Sequence, residues 1–306
     1  VLIDTFHLHQ SLTGIRTYTI ELLEGIEACD DLKAEYLFFP DWRRAESSNF
    51  LKGKNNFFKK VLFHLSYFIY KQFLLPLYVW INRVDVLITT DFVLPFIKTS
   101  KYQFTVIHDV FFWELKENYP KSWRLYYTKM VELGISHNAI LISTSKYTSS
   151  KIKTFISDKN TIEVVYQCPK LLSNKTKTDS ELLEKLGIVK EEYFFHVGLL
   201  DKRKNLLTLI TAFSIFIKDN SRSNFKLVLA GERGIGRAQD VHEELLRFIK
   251  NENIVGKVIL TGFVENDILS VLYRNANAYV FPSYDEGFGI PVLEAFGSET
   301  PLIISD

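Results

Sequence analysis

Glu286 and Glu294 stand with seven residues between them and bracket a segment that carries Gly287 and Gly289. The spacing suits a site for a phosphate and a sugar. The apolar run 278–281 predicts a strand, 282–289 its loop, and Pro291 the first helical position, where a missing N–H costs nothing. A helix therefore opens near Ile290. Its first N–H groups have no intrahelical partner and its dipole is positive there, so a diphosphate is well placed against the backbone of Phe288, Gly289 and Ile290. Glu294 is expected in the first turn, where a carboxylate can accept two hydrogen bonds from vicinal hydroxyls such as those of a ribose. Glu286, in the loop, can reach a different hydroxyl-bearing group. An acidic first turn also steadies a helix through the macrodipole, so either glutamate alone is ambiguous. The whole string is not.

Further candidates fall at the carboxyl ends of predicted strands. The strand 193–197 runs into Gly198-Leu199-Leu200-Asp201-Lys202-Arg203-Lys204-Asn205, a basic loop before the helical stretch 206–217. Arg203 can grip a phosphate bidentately and Lys204 supplies a compact charge, which a diphosphate leaving group needs as its own charge grows. A solvated Lys/Arg turn is the plainer alternative. The strand 104–108 ends at His108-Asp109, where an imidazole can hydrogen-bond a sugar hydroxyl and Asp109 can orient the ring. Near the start, Gly14 precedes the helical stretch 18–26 and can present backbone N–H groups to an anion. A plain N-terminal turn is equally compatible. Gly231-Glu232-Arg233-Gly234-Ile235-Gly236 departs in order from a dinucleotide fingerprint, and the next strand, 258–260, ends in Thr261-Gly262 without an acid. An oxidoreductase is disfavoured.

These positions require an alternating α/β chain. Strands are predicted at 1–4, 35–39, 84–89, 104–108, 139–143 and 162–166, and again at 193–197, 226–230, 258–260 and 278–281, with helix-length amphipathic stretches between them. A polar stretch over 169–179 separates the two series, giving Rossmann-like domains at 1–170 and 171–306. At 306 residues two cores are expected. Lys+Arg 37 against Asp+Glu 36 leaves a net charge of +1, too little to recruit nucleic acid through a global field. Cys29 and Cys168 form no Cys-x-x-Cys pair, which argues against a disulfide scaffold or zinc site and suits a reducing cytoplasm.

Glu286-Gly287-Phe288-Gly289-Ile290-Pro291-Val292-Leu293-Glu294-Ala295, framed by Phe281-Pro282-Ser283 and by the segment 297–301, resembles the Glu-x7-Glu signature of family 4 glycosyltransferases. The resemblance covers essentially the whole chain. It implies a GT-B fold with two Rossmann-like domains facing a cleft, a nucleotide-sugar donor, no metal or other cofactor, and transfer with retention of configuration. It also implies Arg203 and Lys204 as phosphate ligands, His108 and Glu286 as the catalytic contacts, Gly14 as a donor contact, and Gly262 in the wall around the base. Two departures stand out. Leu199 follows Gly198 where many members have Arg, and Arg16 directly follows Ile15 where a second glycine is common.

The acceptor expected is a glycan or lipid-linked sugar in cell-surface polysaccharide synthesis. A nucleotide-sugar epimerase and an inactive sugar-binding paralogue are the alternatives. Residues 57–82, rich in Phe, Tyr and Trp with Lys59, Lys60, Lys71 and Arg83, are too interrupted to span a bilayer. They fit either a peripheral membrane contact or a core helix pair in which Leu74, Leu75 and Leu77 extend the apolar face. The chain starts at Val1 and stops after the strand-like 301–304, so it reads as a fragment whose second domain is incomplete.

Overall fold

The computed structural model describes residues 1–9, 14–30, 33–47, 57–168, 179–219, 224–234 and 240–305. They divide into two compact units, Val1–Gln167 and Cys168–Asp306. The expected boundary between 170 and 171 falls outside the described residues.

The first unit is built on β1 (Leu2–Asp4), β2 (Leu37–Phe39), β3 (Val86–Thr89), β4 (Tyr102–Ile107), β5 (Ile140–Ser143) and β6 (Ile162–Val164). They form one parallel sheet in the order β2-β1-β3-β4-β5-β6. A sheet covered on both faces needs apolar residues at successive positions, because neighbours along a strand point to opposite sides. Leu2, Leu87, Ile107 and Leu141 join one core cluster, while Ile3 packs on the other face with Leu8, Leu23 and Trp42. The second unit repeats the plan with β7 (Tyr193–Val197), β8 (Lys226–Ala230), β9 (Val258–Gly262), β10 (Ala278–Phe281) and β11 (Leu302–Ile304), ordered β11-β10-β7-β8-β9. Phe195, Val228 and Tyr279 face one core, and Leu227 and Leu229 the other. In each sheet the chain begins in the interior and strand order reverses, at β1/β3 and at β7/β10. Loops diverge at such points and leave a crevice at the carboxyl ends of the strands.

The aromatic segment is one continuous helical run rather than a pair of helices: Phe57–Ile69, a π-turn at Tyr70–Leu74, then Leu75–Ile81. Pro76 has no N–H to donate and would break a regular ladder. The wider turn before it absorbs the fault, with Leu75 N–H donating to Tyr70 O. Phe63, Tyr67, Tyr70, Leu75 and Val79 enter the core. Leu74 and Leu77, expected on the buried face, are 49% and 51% exposed.

Lys71 points from this π-turn into the protein and is wholly buried. Its ammonium ion-pairs with Asp4, at the end of β1, and with Asp91, just after β3 (2.6 Å), and donates to Val93 O (2.9 Å). Tyr67 Oη donates to Asp91 (2.8 Å), and Tyr70 Oη lies 3.0 Å from Asp4 and 2.7 Å from Phe39 O. Burial by itself would lower the Lys71 pKa, but Asp4 and Asp91 outweigh it and hold the ammonium above its ordinary value. Burial would likewise raise Asp91, but Lys71, His7 and the hydrogen bonds of Lys71 and Tyr67 keep it below the usual carboxylate range. The β1/β3 crevice is thus filled by an ion cluster in which two carboxylates share one ammonium.

Removing one partner of such a cluster leaves the others buried and uncompensated, so Lys71→Met should cost about 3–5 kcal/mol in urea unfolding at neutral pH. Asp91 has a depressed value in the native state, and its contribution is therefore present above the unfolded value and lost as pH falls through the folded one. In the variant burial acts without the cation and raises that value. The deficit relative to wild type should narrow as pH drops toward about 4, and a deficit independent of pH would contradict the assignment.

Candidate active site

In the second unit the carboxyl ends of β7 and β10 bring Arg203, Lys204 and Glu286 together. The basic loop forms a 3-10 turn, Lys202–Lys204, before the helix Leu206–Asp219. Asp201 caps the turn: its carboxylate accepts from Lys204 N (3.3 Å) and from Arg203 Nη2 (3.1 Å). Lys204 is buried, its ammonium paired with Glu286 from the loop after β10, and Arg203 Nη1 lies 4.0 Å from the same carboxylate. A backbone bond from Tyr284 N to Arg203 O (2.9 Å) ties the two loops. Two cations and two carboxylates therefore sum to no net charge, and Arg203 and Lys204 are not bare phosphate ligands. Asp201 was not anticipated. Its signal is an acid three residues before Lys204, the spacing of a capping side chain.

The helix after β10 is Ile290–Gly297, with Phe288 half-buried just before it and Gly289 at its N-cap. Glu294 is the fifth residue of this helix and not in its first turn, which contains no acid. One turn further along, its side chain turns toward the helix Asn266–Arg274, where Tyr273 Oη lies 3.0 Å from Glu294 Oε2. The expected dipole interaction gives way to an anchor in the core: Tyr273 is fully buried, and burial holds its hydroxyl well above its ordinary pKa. Gly262 ends β9, on the far side of β8 from the Lys204–Glu286 pair, and its carbonyl accepts from Gly231 N (2.8 Å).

In the first unit the described helix begins at Gly14 itself (Gly14–Glu27), four residues earlier than expected. A Cβ on Gly14 would meet nothing within 4 Å, so packing does not demand glycine there. Tyr18 of this helix meets the His108 ring edge-on (4.9 Å between centroids). His108 directly follows β4, half-buried, with Nε2 2.9 Å from Thr90 O and Nδ1 3.4 Å from Gln167 Nε2. Only a protonated Nε2 can donate to a carbonyl, which leaves Nδ1 as the acceptor. Thr90 and Gln167 hold the ring, while Asp109 accepts from Phe111 N (3.2 Å). Desolvation pushes the His108 pKa down to about 4, so the imidazole is a neutral contact at physiological pH and carries no acid proton to give. Among the described residues no group of three His, Cys, Asp or Glu side chains converges as a metal site would require.

Two doubly wound parallel units with convergent charged loops at a switch point are the GT-B class of fold, and the comparisons agree. Residues 179–306 match the profile of the family described as "Glycosyl transferases group 1", and the chain is a glycosyltransferase. It is 24% identical over 320 residues to the O-antigen chain mannosyltransferase RfbU of Salmonella typhimurium, covering 100% of this chain and 82% of that protein. It is 24% identical over 213 residues to O-antigen chain mannosyltransferase B of Escherichia coli, covering 66% of this chain and 52% of that one. Its fold matches sucrose-phosphate synthase from Thermosynechococcus elongatus (TM-score 0.68, 17% identity, 99% of this chain and 80% of that one). It also matches Anabaena HepE in complex with UDP and glucose (TM-score 0.66, 14% identity, 99% and 79%).

Two glycines fix the backbone of this site. Gly289 has φ +84°, a left-handed N-cap, and Gly231 has φ +131° with a hypothetical Cβ only 2.0 Å from Gly198 O. At Gly289 the nearest side-chain atom, on Phe281, is 3.7 Å away, so an added methyl group meets no clash and feels only the conformational penalty. Gly289→Ala should therefore lower stability by about 1–2 kcal/mol. Gly231→Ala must push β7 and β8 apart and should abolish cooperative melting of the second unit. Equal, mild losses in both would contradict this backbone account.

Proposed function

We propose that this glycosyltransferase moves a hexose, foremost mannose, from a nucleoside-diphosphate donor to a glycan or lipid-linked acceptor with retention of configuration. The convergence of Arg203, Lys204 and Glu286 at the β7/β10 switch point carries the reading. Lys204 and Arg203 face the diphosphate as it gains charge, the backbone at Phe288, Gly289 and Ile290 approaches phosphate and sugar, and Glu294 takes the ribose hydroxyls. Gly262 borders the base, and Glu286 turns from Lys204 to the sugar. Within the first unit, His108 presents a neutral imidazole suited to a sugar hydroxyl, exchanging its bond to Gln167 for it, and Gly14 presents backbone N–H groups suited to an anion. The O-antigen mannosyltransferases among its relatives support the choice of mannose and of polysaccharide synthesis.

A screen of UDP, GDP and ADP sugars by thermal shift, followed by NMR of the product's anomeric proton, tests donor and stereochemistry together. Lys204→Ala should lower kcat on the order of a hundredfold, more than it weakens donor binding, because the charge it meets develops only as the bond breaks. Glu294→Ala should weaken binding of the free nucleoside diphosphate, and Glu286→Gln should not, since Glu286 competes for Lys204. Turnover unchanged in Lys204→Ala, or equal affinity losses at the two glutamates, would contradict these roles. Donor conversion without acceptor would favour an epimerase, and binding without turnover a sugar-binding paralogue.

The outer face of the 57–81 helix supports a peripheral contact with a membrane. Val61, Leu65, Ile69, Phe73, Leu77 and Ile81, four residues apart, are each 42–68% exposed, and Trp80 is 53% exposed. The π-turn slows the helical rotation so that this stripe stays on one side. No acidic residue occurs from 57 to 84, while Lys and Arg do. An apolar stripe of this kind lies in the lipid interface, and anionic headgroups suit its charge. Among the described residues no helix is long and apolar enough to cross the membrane. Flotation with phosphatidylglycerol vesicles should recover the wild-type chain, and Leu65→Glu with Phe73→Glu should abolish recovery without altering the melting temperature. Equal recovery of both would remove the membrane from the reading.

A further inference from the structure

His196, on β7, lies inside the second unit's switch point with no solvent exposure. The β7/β10 ladder pairs Tyr279 with Phe195 and goes no further, so Val280 O is released where the strands part. His196 Nδ1 occupies that place, 2.9 Å from Val280 O. A carbonyl accepts and cannot donate, so Nδ1 carries the proton and Nε2 is left with its lone pair. That Nε2 is buried and has no hydrogen-bond partner. An orphaned buried acceptor calls for an explanation.

The surroundings supply one. A Cβ built on Gly198 would lie 3.5 Å from His196 Nε2 and 3.4 Å from Lys204 Nζ, so the two nitrogens flank the same bare glycine. Among the described residues the Lys204 ammonium has Glu286 as its one hydrogen-bonding acceptor, with the Phe281 ring 5.4 Å away, although an ammonium carries three donors. An unclaimed donor and an unclaimed acceptor therefore face one point. Lys204 paired with Glu286 presents no net charge to a diphosphate, whereas Lys204 held by a neutral imidazole presents its full charge.

We propose that His196 is a positioning residue whose Nε2 is a second, neutral acceptor for the Lys204 ammonium, so that Lys204 can leave Glu286 and meet a diphosphate without being cancelled. The inference rests on the donor-site reading given above. On this view the lysine has two stations: beside Glu286, where the site is electrically silent, and beside His196, where Glu286 is released toward the sugar. His196 stays uncharged at both. Desolvation, with Lys204 adding to it, holds its pKa down at about 3, so it does not compete for the proton that Lys204 carries.

Two substitutions separate this role from a packing role. His196→Asn keeps a donor for Val280 O but has nothing at the Nε2 position; His196→Gln keeps an acceptor near Nε2. A hydrogen bond to a charged group corresponds to about a tenfold change in affinity. Calorimetry with UDP and GDP should therefore show His196→Asn about tenfold weaker than wild type with its melting temperature unchanged, and His196→Gln close to wild type. In wild-type protein the 15N signal of His196 Nε2 should move on adding the nucleotide that binds, and should not move in Lys204→Met. Tight nucleotide binding by His196→Asn, or an unresponsive Nε2 signal in a wild type that binds nucleotide, overturns the inference alone. Failure of wild type to bind any nucleoside diphosphate overturns the donor-site reading and this inference with it.

Discussion

A single ammonium organises the first unit. Lys71 sits where β1 and β3 part, at the place in a doubly wound sheet where strand order reverses and carboxyl-end loops diverge. Asp4 ends one of the two strands that separate there and Asp91 follows the other, and Lys71 joins them from a helix that otherwise sends Phe63, Tyr67, Tyr70, Leu75 and Val79 into the core. An unpaired charge so deep would cost far more than the fold could sustain. The geometry of the whole neighbourhood is consequently constrained: the π-turn must aim Lys71 inward, Tyr67 and Tyr70 must occupy the remaining carboxylate lone pairs, and the chain after β3 must pass close enough for Val93 O to accept. That same chain includes Thr90, whose carbonyl holds His108. The candidate contact on the first unit is thus built outward from the ion cluster.

The second unit places charge at the corresponding point of its own sheet with a different outcome. Lys204 and Glu286 come from loops, Asp201 from the capping position of a short turn, and His196 from the strand itself. The first crevice is filled by Lys71, its two carboxylates and the tyrosines bonded to them. The second is lined by the Lys204–Glu286 pair, with the unpartnered Nε2 of His196 beside it. Loops after parallel strands are where a scaffold can vary chemistry without disturbing its core, and the division of labour between the two sheets follows that rule.

Strand positions were readable because parallel strands buried on both faces must be short, apolar and regularly interspersed with helices; the ten strands expected at 1–4 through 278–281 all appear within a few residues. The loop types at 198–205 and 282–289 were readable because glycines and charges follow those strands directly. Three things were not. Glu294 lies a turn later than the sequence suggests because a helix start near Pro291 does not reveal which residue is the N-cap. Pairing across the sheet between residues 204 and 286 depends on strand order, to which local pattern is blind. Lys71 reads in sequence as one of the basic residues of an interfacial helix, since a lone lysine among aromatics looks like a snorkelling surface cation until the two acids that receive it are known.

The bond between Tyr273 and Glu294 bears on how a ligand would be met. Tyr273 belongs to the rigid interior, fully buried among Phe195 and Tyr279. A glutamate on a helix surface ordinarily samples several rotamers and surrenders that freedom when it grasps something. Here one carboxylate oxygen is already held by a phenol fixed in the core, whose proton burial retains. The conformational entropy of this side chain was spent when the protein folded, so in the proposed donor site a pair of hydroxyls would meet an acceptor already aimed.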